Sequence, residues 1–276
     1  MTARPAHLRN LLRGGAVALV AALLIFQNGC KLWPNSPALP VRNSQVLDQL
    51  VIYSDTPLPA HHRLLEELTA QRGALATKLA LKSSDEPIHV YLFPTQPQFK
   101  AFMGLHYPDF PDRRAFFVES DTRLMVYAYW GDHVAEDLRH EVSHGYLHST
   151  IPNLALWLDE GLAEYFEVPR GNRGVNRPHV QELNAALAKG WHPDLRRLEK
   201  LQSAGAMNQA DYAESWAWVH FLLETTPERL QFMRHYLQRL VRAEEMEPLS
   251  NQLRQLHLDY ERKLVEHLTA LNQSLR

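Results

Sequence analysis

Apolar and polar positions along the chain fall into two rhythms. Short apolar runs of strand length occur at Leu50-Val51-Ile52-Tyr53-Ser54, ended by Asp55 and Pro57, and at Ile88-His89-Val90-Tyr91-Leu92-Phe93, bounded by Pro87 and Pro94. Ala115 to Glu119 and Arg123 to Tyr129 predict a hairpin turning at Ser120-Asp121. Helical spacing governs the rest. Leu64, Leu65, Leu68, Leu75 and Leu79 predict a helix within His61 to Leu81, and Pro97 to Met103 a shorter one. Val134, Leu138, Val142 and Leu147 give an apolar stripe to a helix for which Asp132 is the predicted N-cap, with Glu136 and Asp137 favouring its dipole. A second helix follows the break at Thr150 to Asn153, with Asn153 as its cap, and ends before Pro169. Helices are then predicted over Val180–Lys189, Asp194–Leu201, Asp211–Thr225, Pro227–Ala243 and about Pro248–Ser274. Few strands first and many helices later predict an α+β fold.

The first long stripe carries chemistry. His140-Glu141-Val142-Ser143-His144 places two histidines four apart, about 40° around and about 6 Å along a helix, so both imidazoles can close on one metal ion. Glu141 lies about 100° round from His140, where its carboxylate serves better as a base than as a ligand. Glu160 stands in Trp157-Leu158-Asp159-Glu160-Gly161-Leu162-Ala163-Glu164-Tyr165, after enough chain to turn and return. Two imidazoles, one carboxylate and an open position suit a catalytic zinc ion. Gly161 and Ala163 are small enough for the two helices to approach closely, and Trp157, Leu158, Leu162 and Tyr165 read as core. His89 and His106 lack a partner at metal-ligand spacing and read as structural, His148 as a helix-end residue; His133 is unassigned.

Over residues 140–167 the sequence closely resembles the gluzincin zinc metallopeptidases, in the peptidase-MA-like bacterial form with W-L-x-E-G-x-A-E-Y; a looser similarity of element order covers about residues 46–240. The resemblance implies a zincin-like fold: a small N-terminal mixed sheet with helices, a metal site on two helices, and a helical C-terminal part. It implies His140, His144 and Glu160 as Zn2+ ligands and Glu141 as general base. Glu164 matches an acidic position that orients a ligand histidine, as metal-bound histidines usually require. Residues 123–130 are expected to form the sheet edge beside the cleft, able to hold an extended peptide. Tyr212 is implied as a donor to the developing oxyanion, with His220 competing for that role.

The amino terminus changes the setting. Arg4, Arg9 and Arg13 precede the apolar run Ala16–Phe26, which reads as a signal peptide over residues 1–29 and is short for a membrane span. Gly29-Cys30 resembles a bacterial lipoprotein cleavage site, implying a chain lipidated at Cys30 and tethered in the cell envelope; a plain signal peptide or an uncleaved anchor are the alternatives. Residues 30–45, proline-bearing, read as a tether and 46–276 as the folded domain. Cys30 is the only cysteine, so no internal disulfide stabilises that domain. A formal net charge of −2 without a long basic run argues against nucleic acid as a partner. The loop from Pro169 to Pro178 is basic and glycine-bearing and reads as surface disorder, with a segment overhanging the cleft as the alternative. The expected function is zinc-dependent hydrolysis of a peptide or protein substrate. A non-catalytic zinc-stabilised envelope binding module and a zinc hydrolase of a non-peptide bond are the alternatives.

Overall fold

The computed structural model describes residues 37–59 and 61–275. The signal peptide, Cys30 and the first part of the tether lie outside the described residues. Five strands form one open mixed sheet: β1 (Asn43–Leu47), β2 (Leu50–Ser54), β3 (Ile88–Phe93), β4 (Ala115–Ser120) and β5 (Arg123–Tyr129), in the order β1-β2-β3-β5-β4. β2, β3 and β5 run parallel, and β1 and β4 close the two edges antiparallel. Period-two alternation divides the sheet's faces. The row Ile52, Val90, Val126 points into the main core, and the next row, Tyr53, Tyr91, Tyr127, points into a smaller aromatic core with Phe99 and Phe102. The helices α1 (Arg63–Leu79) and α2 (Gln96–His106) supply the connections between parallel strands that such pairing requires. The chain is thus α+β, with helices dominating after β5.

Several sequence expectations change here. The tether ends earlier than residue 45, because β1 starts at Asn43 and pairs with β2, and the compact unit begins at Pro37. β5 is not the edge strand: β3 covers one side of it and β4 the other, so the edge beside the helices is β4. Asp132 does not cap the next helix, α3 (Val134–His148), whose cap position is His133 without a side-chain bond. Asn153 instead takes a left-handed turn at φ 56°, and α4 (Leu156–Phe166) starts after Ala155. The expected C-terminal helix is two, α9 (Leu249–Leu256) and α10 (Tyr260–Ser274), interrupted at His257 to Asp259.

The stripe Val134, Leu138, Val142, Leu147 is buried, at roughly 1.5–3 kcal/mol for each fully buried side chain, and this sets the rotation of α3 on the sheet. Gly145 makes the contact close: a Cβ there would lie 2.9 Å from Ile88 of β3. Gly161 does not serve the approach of α3, as its small size suggested, but that of α7 (Gln209–Glu224). A Cβ at Gly161 would lie 2.5 Å from the Ser215 carbonyl oxygen. α7 starts at a reciprocal capping box between Asn208 and Asp211 and buries Trp216 and Trp218. The segment after α4 is not loose: the Trp216 indole donates to the Gly174 carbonyl at 2.8 Å, and Arg173 pairs with Glu224 at 2.9 Å. α5 (Arg177–Leu187), α6 (Leu195–Leu198) and α8 (Pro227–Val241) complete the helical part. Among the described residues no helix is long and apolar enough to cross a membrane.

His220 of α7 and His267 of α10 meet at 2.9 Å between ring nitrogens. Burial holds His220 down to about 3 and His267 to about 4; His267 reinforces this at His220 and Arg229 at His267, and Glu224 opposes it at both. Both are neutral when folded and protonate at about 6.5 when unfolded. Between those values the unfolded chain binds more protons, so stability falls as pH drops from about 6.5 towards 4. Calorimetry across that window should find a falling melting temperature, less steep in His267→Leu; an equal slope in the variant would count against the pair.

Candidate metal centre

α3 and α4 bring three acceptor atoms together. His140 Nε2 and His144 Nε2 lie 3.2 Å apart, and Glu160 Oε2 lies 3.4 Å and 3.6 Å from them. Each ring has its other nitrogen on a carboxylate. His140 Nδ1 donates to Glu167 Oε2 at 2.9 Å, and His144 Nδ1 donates to Asp159 Oδ1 at 2.8 Å. An ionised carboxylate only accepts, so each Nδ1 carries a proton and a neutral ring leaves its Nε2 lone pair facing inwards. Two N–H groups could not face each other at 3.2 Å. Glu160 Oε2 is buried and has no hydrogen-bond partner. Acceptors converging this closely in the interior are costly unless a cation joins them, and His140, His144 and Glu160 are a set that could hold one. The residues therefore fit a metal ion.

Electrostatics around the set follow from its carboxylates. With no metal ion in the set, burial alone would lower both imidazoles, yet Glu160 and Glu167 raise His140, and Asp159 and Glu160 raise His144 to about 10, so a proton takes the place a metal cation would fill. Burial would raise Glu160 and Asp159, but the histidines facing them hold both carboxyls below their usual range. Asp159 also accepts from His148 Nε2 at 2.9 Å, and His148 Nδ1 meets Glu119 of β4 at 2.6 Å. His148 is thus an outer support at the end of α3 and not a ligand of the central set. Two further sets could hold a cation, His144-His148-Asp159 and His140-Glu164-Glu167, but both draw on these supporting carboxylates.

Sequence reasoning assigned the orientation of a ligand histidine to Glu164. That carboxylate instead accepts from His179 Nε2 at 2.8 Å and from Asn176 at 3.4 Å. Glu167 does the work expected of Glu164, and Asp159 does it for the second ring; neither was anticipated. A signal existed. Glu160 and Glu167 are seven apart, about 20° from eclipsed on a helix, closer to one line than Glu160 and Glu164.

An open cavity of about 810 Å³ reaches the set from one side, with His140 and Glu141 on its wall. Burial raises the Glu141 carboxyl, against the pull of His140 and His144 and a backbone hydrogen bond from Phe117 of β4. Tyr212, at the start of α7, lines the same cavity, and its hydroxyl accepts from Arg113 Nη2 at 2.5 Å. His220, the competing candidate, faces His267 and Trp216 in the core instead. The segment expected to be disordered forms part of the wall, through Pro169, Asn172 and Asn176.

Residues 135–247, from α3 into the chain beyond α8, match a family described as "Protein of unknown function (DUF1570)". The match includes His140, Glu141, His144, Glu160 and Tyr212. No curated protein matches the chain.

Protein purified without added metal should contain one metal equivalent per chain by elemental analysis, and the His140→Ala, His144→Ala double variant should contain none. Asp159→Asn and Glu167→Gln should each weaken metal binding by about 10–100-fold. Full retention in the double variant would place the metal elsewhere.

Proposed function

We propose that the protein is a zinc-dependent peptidase of the gluzincin type, exported to a bacterial cell envelope and tethered there through Cys30. The observation that carries the activity is the convergence of His140, His144 and Glu160 with Glu141 beside them on a cavity wall. Tetrahedral zinc with ligand bonds of about 2.0–2.1 Å separates its donors by about 3.3–3.4 Å, and the three atoms here stand 3.2, 3.4 and 3.6 Å apart. Nitrogen and carboxylate donors in this number suit zinc better than calcium or magnesium. The α+β arrangement, with a sheet edge beside two metal-bearing helices, agrees with a zincin-like fold.

Zinc bound there would supply Lewis acidity, polarising a carbonyl and making water acidic near neutral pH. The chain's own residues supply the rest. Glu141 holds the proton taken from the attacking water at its carboxylate and passes it to the leaving amine. Its raised pKa brings it nearer the working pH of such a base. Glu160 stays anionic because positive charge carried by the set, on the imidazoles or on a bound metal, favours the carboxylate. β4, whose Phe117 backbone faces the Glu141 carboxyl, offers backbone groups along which an extended peptide can lie. Tyr212, whose hydroxyl accepts from Arg113, keeps its own proton to donate to an oxyanion.

A non-catalytic zinc-stabilised module would need the three ligands but not Glu141 on the cavity wall, which favours the enzyme. Glu141→Gln keeps size and ligands but removes the base. It should retain its metal and lose at least about 10²-fold in cleavage of a substrate found by peptide-library screening. Wild-type rates in a metal-loaded Gln variant would remove Glu141 from the mechanism. For the location, mass spectrometry of the mature amino terminus should find an acylated Cys30. An unprocessed Met1 refutes export, and a cleaved but unacylated terminus refutes only the lipid.

A further inference from the structure

Arg113 is the cavity's unexplained charge. Arg114 is held by Glu136 and Asp137, and Arg139 by Glu67 and the Glu167 carbonyl. Arg113, half-buried, makes no ion pair among the described residues; its one protein hydrogen bond goes to the Tyr212 hydroxyl, with its guanidinium carbon 5.4 Å from that ring's centre. A guanidinium has five N–H donors and cannot shed its charge. Burial works against that charge here, while Tyr212, Glu160 and Glu141 favour it, so Arg113 stands within electrostatic reach of the metal set and the base. Arg177 also lines the cavity without an ion pair, but it is exposed, and water compensates it.

Its place along the chain adds direction. Arg113 lies two residues before β4 begins and four before Phe117, whose backbone faces the Glu141 carboxyl. At about 3.3 Å per residue, a peptide extended along β4 from Glu141 comes level with Arg113 within about four residues.

We propose that Arg113 is a specificity residue that receives a carboxylate of the substrate, within about four residues of the bond presented to Glu141. This deepens the peptidase reading and rests on it for the identity of the ligand as a peptide. The planar fork matches a carboxylate in two parallel hydrogen bonds, and a partly desolvated cation lacking a counter-ion strengthens both. Peptides offer that group from two sources, a free C-terminus or an Asp or Glu side chain.

Three hexapeptide pools separate the sources: free C-terminus without acidic residues, amidated C-terminus with Asp or Glu, and amidated without them. Their binding to metal-loaded Glu141→Gln protein is measured by fluorescence anisotropy, so no turnover is needed. At least one carboxylate-bearing pool should bind about 10-fold tighter than the neutral pool, the scale of a charged hydrogen bond. Adding Arg113→Met, in protein of unchanged melting temperature, should bring that ratio to about 1. Adding Arg113→Lys should keep part of it. Tyr212→Phe and Arg177→Met should keep it whole, which separates a receptor from a mere support of Tyr212 or a general positive field. Equal binding of all pools, no binding of any, or a preference that survives Arg113→Met overturns the proposal. Arg113-dependent binding of peptides that wild-type protein never cleaves would sink the peptidase reading and leave this one standing.

Discussion

The molecule depends on holding three lone-pair atoms within 3.2–3.6 Å of one another inside its core. Left alone, acceptors and buried charge at this density cost several kcal/mol per ion. The arrangement persists because neither helix that carries it can rotate. Val142 and Leu147 fix α3 against the sheet, and Trp157, Leu158 and Leu162 fix α4 in the main core. A layer of carboxylates then fixes each ring about its own bonds. The hydrophobic core thus sets position to within a side chain, and Asp159 and Glu167 set it to within an atom.

Two carboxylates one helix apart end in opposite conditions. Glu160 faces both imidazoles and is held as an anion; Glu141 turns to the cavity, where burial raises its proton affinity. Environments that push two acids apart are how one site keeps a permanent charge and a proton carrier side by side.

Much of this was legible in sequence because it is local. The spacing of His140 and His144 is a property of any helix, and the strands at Leu50–Ser54 and Ile88–Phe93 follow from runs of six residues or fewer. What failed was non-local or a matter of phase. Nothing in residues 123–130 says that β3 will pair with them on the far side and make β4 the edge. Whether Glu164 or Glu167 meets His140 depends on how α4 is rolled against α3, and a difference of about 60° around the axis decides it. Asp132 and Asn153 have the chemistry of caps, but the chain enters each helix after them, in turns that tertiary packing selects. Arg113 was invisible because it lies in a loop remote in sequence from every residue it serves.

Gly161 carries a consequence for the whole cleft. Glu160, its neighbour on α4, belongs to the metal set, and Tyr212, one turn before Ser215 on α7, stands on the cavity wall. The missing methyl at Gly161 lets the Ser215 carbonyl come to where a Cβ would stand. Any side chain there must push the two helices apart, and ligand and tyrosine would separate with them. The spacing between the metal set and the cavity wall is therefore fixed at a point that belongs to neither, and a replacement at Gly161 would act as a spacer between two parts whose own chemistry it leaves intact.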